Sequence, residues 1–261
     1  MKYLNIIVIS LILLVYSCYS NEEETFNGTL SLKFNHVEGG NPVMYDQPVY
    51  SNAAGNQYEI TNIQWFISDV SLVDNTDKII PLSNDWLHYI DSDLPETQKW
   101  TLMDGIPPGE YSSIRFVFGI RGEKNEPMMF TDPPESNMIW PYHMGGDEGG
   151  YHYMKLNGFW VDLMAERTPF NFHIGVGQVY DNDQKVSDFI QNWFETELPF
   201  SSFTMPAGGL VNADINMNIE DWFQNPKNYD HNDYGGSIMD NQEAMGTIRD
   251  NGHNVFSISI N

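Results

Sequence analysis

Short alternations of apolar and polar residues, interrupted by Gly, Pro and Asn, constrain this chain more than any other feature. In Thr29–Val37 the residues Leu30, Leu32, Phe34 and His36 share one face of an extended strand, because successive side chains point to opposite sides. The same pattern predicts strands over Gln57–Val73, Trp86–Ile90, Lys99–Leu102, Ser113–Gly119 and Lys155–Leu163. It continues through Phe170–Val176, Ser201–Met205, Gly209–Met217 and Asn254–Ile260. Helical spacing is confined to Val186–Phe194, to Ile219–Asn225 with a cap at Asn218, and to Gln242–Arg249. The fold class expected is all-β: an antiparallel β-sandwich with a few short helices in the connections, its sheets closing over Trp65, Phe116 and Phe118.

The first residues carry a different signal. Lys2 precedes an apolar run from Tyr3 to Tyr16, which suits a signal peptide and is too short for a membrane span. Leu14-Val15-Tyr16-Ser17-Cys18 is similar to a bacterial lipobox, and Cys18 is the sole cysteine. An unpaired cysteine in an exported chain needs a role, and a lipid anchor supplies one. Residues 1–18 therefore read as a lipoprotein signal peptide ending at the lipidated Cys, 19–27 as an acidic tether, and 28–261 as the β-sandwich domain. Loss of Lys2 with the leader leaves 36 acidic against 11 basic side chains, a net charge of −25 with histidines neutral. Such a surface repels nucleic acid, whose phosphates must be met by Lys and Arg, and attracts cations.

Residues with a taste for metals concentrate in Met138–Trp160 and the Phe172–Gly175 segment just after it. His143, His152 and His173 fall there, with Trp140, Met138, Met144, Met154 and a cluster of glycines. Imidazole serves copper, zinc and nickel, and thioether favours reduced copper. His36, inward-facing on its strand, joins the candidates, whereas His88, His231 and His253 have poorer surroundings and are expected at the surface.

The order of several segments resembles the MbnP-like copper-binding proteins. These are Phe34–Gly39 with His36, Tyr50–Tyr58, Ile63–Asp74, Ile106–Phe116, Met138–Trp140, Gly150–Gly158 and Phe172–Gly175. The resemblance implies an exported β-sandwich that binds copper, anchored here by lipid in the envelope of a gram-negative bacterium, outer membrane included. It also implies a dihaem peroxidase-like partner. The family's histidines fall on His36 and His173, and in some members a tryptophan at the copper is oxidised to kynurenine, a position that falls near Trp140. Pro141–Gly149 differs from the family pattern and is longer. On this resemblance His36 and His173 meet near Trp140, with His143, His152, a methionine or water in third place. Met138 is a soft neighbour of the same site.

Other chemistries leave weaker traces. Asp181-Asn182-Asp183 and Asp230-His231-Asn232-Asp233 offer alternate oxygens for calcium, without the spacing of an EF-hand loop. No nucleophile elbow, HExxH or phosphate-binding glycine loop is present, so the chain does not read as an enzyme. The alternative to copper binding is a lipid-anchored module for glycans or a protein partner, with Trp140, Tyr142 and Tyr151 as an exposed aromatic platform.

Overall fold

The computed structural model describes residues 26–261, so the leader, Cys18 and nearly all of the tether lie outside the described residues. In chain order the strands are β1 (Thr29–Glu38), β2 (Asn41–Pro42), β3 (Tyr50–Ser51), β4 (Gln57–Asp74), β5 (Ile79–Pro81), β6 (Leu87–Asp91), β7 (Lys99–Thr101) and β8 (Gly109–Phe118). They continue with β9 (Met154–Val161), β10 (Arg167–Ile174), β11 (Gly177–Tyr180), β12 (Val186–Ile190), β13 (Phe194–Glu197), β14 (Phe203–Met205), β15 (Leu210–Asn218) and β16 (Phe256–Ile260). The smaller sheet runs β16–β15–β1–β2, with β7 also on β1. The larger runs β10–β9–β4–β8–β13, with β3, β5 and β6 on β4 and β14 on β8. The all-β expectation holds, with one departure: β1 and β15 pair in parallel, matching Phe34 to Ile215 and His36 to Met217. A parallel pair needs a long crossover, and here almost the whole domain lies between the two strands.

Alternation decides what the sheets bury. Leu30, Leu32 and Phe34 of β1 and Ala213, Ile215 and Met217 of β15 are buried, as are Trp65, Phe116 and Phe118, the residues expected at the centre. Phe34 meets Trp65 edge-on, with ring centroids 5.6 Å apart, and so joins the two sheets. The long strand β4 slips register at Ile60/Asn62 and at Ser68/Ser71, which lets it bend while serving β9 and β8 in turn.

The register also sorts residues by face. Gln64, Lys155 and His173 form one cross-strand row, and Trp65, Met154 and Ile174 form the next. Adjacent rows point to opposite faces. Trp65 points inward to Phe34, so the row containing His173 lies outside the sandwich.

Two helical expectations fare differently from the third. Gln242–Asn251 is an α-helix, capped by Asn241, whose Oδ1 accepts from the Ala244 N–H at 3.0 Å. Ile219–Phe223 is a 3₁₀ turn, but Asn218 does not cap it; its amide donates to Glu220 and Asp221 instead. Val186–Phe194 is not helical at all: Val186–Ile190 forms β12 and pairs with β11. The apolar spacing of that segment fits a helix, but the Asp181 carboxylate overrides it. Its Oδ1 accepts from the N–H groups of Asp183 and Lys185, both at 2.9 Å, and turns the chain back into a hairpin. No helix among the described residues is long and apolar enough to cross a membrane.

Candidate metal centre

The outer face of β9 and β10 near His173 is covered by the Met138–His152 segment. Its two ends pair with each other: the Trp140 N–H donates to Gly150 O at 2.9 Å and the His152 N–H to Met138 O at 2.7 Å. The Tyr153 N–H then donates to Ile174 O at 2.7 Å, which docks the paired ends on β10. This brings His152 to His173, with ring centroids 5.1 Å apart and planes at 88°. Trp140 sits beside them, 4.7 Å from the His152 ring and at 73° to it.

The hydrogen bonds of the two imidazoles set their tautomers. His152 Nδ1 lies 2.8 Å from the Met138 carbonyl, which can only accept, so Nδ1 carries the proton and Nε2 keeps its lone pair. His173 Nε2 lies 2.9 Å from Asn157 Oδ1, so Nε2 carries the proton and Nδ1 keeps its lone pair. Both remaining nitrogens, His152 Nε2 and His173 Nδ1, are buried and have no hydrogen-bond partner. An unpaired buried acceptor costs about 1–3 kcal/mol and calls for an occupant. One nitrogen on an oxygen acceptor and the other bare is the arrangement of metal-binding histidines. Burial holds the His173 pKa down to about 4, with the nearby Lys155 adding to the effect. Burial likewise pushes His152 well below the usual imidazole range, helped by Lys155 and by His173 itself. Both rings are therefore neutral, as a ligand must be.

Trp140 is held by glycines. A Cβ added at Gly175, Gly145 or Gly149 would lie 2.4, 2.7 or 2.8 Å from its indole. The glycine cluster of the sequence is thus a close-fitting cradle for one ring, a signal that composition alone does not reveal. The aromatic platform expected for a glycan does not form here: Trp140 is 1 % exposed and Tyr151 0 %, leaving only Tyr142 in solvent at 71 %.

The structure does not bring His36 to His173. His36 lies between the sheets, and the Trp65 indole N–H donates to its Nε2 at 3.0 Å. Its Nδ1–H is left to donate to Tyr45 Oη, also at 3.0 Å. Both ring nitrogens are spent, and the thickness of β4 and β9 separates His36 from the outer row. The physical reason is the two-residue period: His36 was read correctly as inward, and His173 is outward. His143 is exposed on the short Tyr142–Gly145 helix and joins neither ring. Met138 contributes its carbonyl to His152, and Met154 lies on the inner face.

Among the other histidines, His253 is exposed as expected, and His88 is half-buried, stacked on Trp100 at 4.9 Å. His231 is a correction. It is fully buried, enclosed by Phe170, Trp160, Phe223 and Tyr229, and neither ring nitrogen has a partner. The residues considered for calcium have local uses. Asp181 closes the β11–β12 turn, and Asp230 Oδ1 accepts from the Asn232 N–H and the Asn56 amide. Among the described residues, no group of three or more His, Cys, Asp or Glu is placed to hold a metal ion.

Comparison with known proteins agrees with this architecture. The model of the MbnP family matches residues 27–240. Among solved structures, MbnP from Methylosinus trichosporium superposes with a TM-score of 0.54 at 12 % identity, covering 90 % of this chain and 99 % of its own. No curated protein matches the chain.

Proposed function

The chain belongs to the MbnP family, and we propose that it is a lipid-anchored copper-binding protein of the cell envelope, serving copper acquisition, storage or delivery. The observation that carries this reading is the pair of bare, buried nitrogens, His152 Nε2 and His173 Nδ1, on imidazoles in contact. Two neutral nitrogen donors without a third suit reduced copper, which accepts low coordination. A structural zinc site wants four ligands. Asn157 and the Met138 carbonyl orient the rings, and Trp140 shuts one side of the site to water. An oxidised tryptophan, where the family carries one, would fall on Trp140. The acidic surface raises the local concentration of cations.

The test is metal analysis of protein purified without added metal, followed by titration. One copper ion per chain is expected; a chain that takes up none would overturn the reading. Proton and metal compete for the same lone pairs, so the pH range of release follows the imidazoles. With His173 at about 4, protons begin to compete only as the pH nears that value, so copper affinity should hold constant as the pH falls past 6.5, the usual imidazole value. An affinity that already falls steadily with pH just below 6.5 would show that the bound ion is elsewhere. The anchor has its own test. Cells fed a fatty-acid analogue should label the wild-type protein and not Cys18→Ala, and equal labelling of both would rule the lipid out.

A further inference from the structure

Lys155 stands directly across the ladder from His173, on the same outer face of the sheet. Its Nζ donates to the Asn137 carbonyl at 2.5 Å, which pins the ammonium beside the segment carrying Met138 and Trp140. No carboxylate among the described residues lies within 4.0 Å of it; Lys33, Lys78, Lys99 and Lys185 are unpaired too, but those four are exposed to solvent. A half-buried cation without a counter-ion thus stands on the same face as the two imidazoles, near enough that its charge lowers the proton affinity of both. Its place in the sheet holds it there, since β9 and β10 cannot slip without turning His173 inward.

We propose that Lys155 is a specificity-determining residue that biases the His152–His173 pair toward monovalent over divalent copper. This rests on the metal-centre reading above and adds to it a choice of oxidation state. A fixed positive charge repels a divalent ion twice as strongly as a monovalent ion at the same place. Removing it therefore helps Cu(II) by the square of the factor by which it helps Cu(I). Discounted for partial exposure, the effect is on the order of tenfold for Cu(I) and a hundredfold for Cu(II). The site also loses a reason to repel ordinary divalent competitors such as Zn(II) and Ni(II).

The experiment measures Cu(I) and Cu(II) affinities by chelator competition for wild type, Lys155→Gln, Lys155→Met and Lys155→Arg. Gln can still donate to Asn137 O, Met removes both charge and hydrogen bond, and Arg keeps the charge. The Cu(II)/Cu(I) affinity ratio should rise about tenfold in the Gln and Met variants and stay at the wild-type value in Arg. A ratio unchanged in both neutral variants overturns the proposal while leaving the copper site standing. So does a parallel fall of both affinities, because it would mean that Lys155 only latches the covering segment. Failure of the wild type to bind either ion overturns the metal centre itself, and the role of Lys155 with it.

Discussion

Replacing either His152 or His173 with Ala should weaken copper binding by more than about a hundredfold, because even outer-shell partners of a metal are worth about 10–100-fold. His36→Ala should leave copper affinity at the wild-type value. The contrast follows from the hydrogen bonds. His152 Nε2 and His173 Nδ1 are free to coordinate, whereas Trp65 and Tyr45 occupy both nitrogens of His36. His36→Ala instead strands the Trp65 indole N–H, a buried donor whose loss of partner costs about 1–3 kcal/mol of stability. Asn157→Ala, which frees His173 to rotate, belongs between these extremes, at about 10–100-fold in affinity. Competition titrations of the four variants, with urea unfolding to check the fold, measure all of this. Wild-type binding in both His152→Ala and His173→Ala would end the assignment. Abolished binding in His36→Ala would move the site into the sandwich.

The strands that build this site were legible because alternation is a local signal. Leu30, Leu32 and Phe34 declare their face without reference to the rest of the chain, and so do Phe170 and Phe172 on either side of the outward Asn171. Pairing is another matter. Which imidazoles meet depends on which face of the larger sheet each occupies, and a two-residue period assigns faces only relative to neighbours on the same strand. The sequence therefore placed His173 and Trp140 in one neighbourhood with His152 among the candidates, but it could not say that His152, and not His36, lies beside His173. His152 joins the site only because Met138–Trp140 folds back on Gly150–His152, a pairing made by backbone groups that carry no side-chain signature. The glycine cluster was visible, but its purpose was not. Gly145, Gly149 and Gly175 are separated by up to thirty positions in sequence and converge on one indole. Asn157 and Lys155 were overlooked for the same reason, since ordinary polar residues on an outer strand face acquire meaning only from what covers them. The misread Val186–Phe194 segment shows the converse, a helical spacing defeated by one turn-closing carboxylate at Asp181.

His231→Phe should stabilise the protein, and the gain should grow as the medium is acidified. His231 is enclosed by aromatic rings and both its nitrogens lack partners, so it already costs the fold about 1–3 kcal/mol for each unmet polar atom. Burial pushes its pKa down to about 3, against a weaker opposing pull from the Asp230 carboxylate. The sign follows from linkage. A histidine whose folded pKa lies below the unfolded value binds more protons when unfolded, so stability is intact above about 6.5 and falls as the pH drops toward the folded pKa. At about pH 5 each such group costs roughly 2 kcal/mol. His36 and His173, both lowered to about 4 by burial, behave in the same way. His152, also lowered by burial, adds to the same loss. Glu38 works in the opposite direction: burial raises it to about 7, and its protonation offsets about one of these histidines. The remaining loss is a sizeable part of the about 5–15 kcal/mol by which domains are held folded. Phenylalanine at position 231 removes one titrating group and replaces it with a ring suited to an apolar cage. Urea unfolding at about pH 7 and about pH 5 should show the advantage of the variant over wild type widening by about 2 kcal/mol. A gap that stays constant with pH would mean that His231 titrates as it does in the unfolded chain and that its enclosure does not keep it neutral.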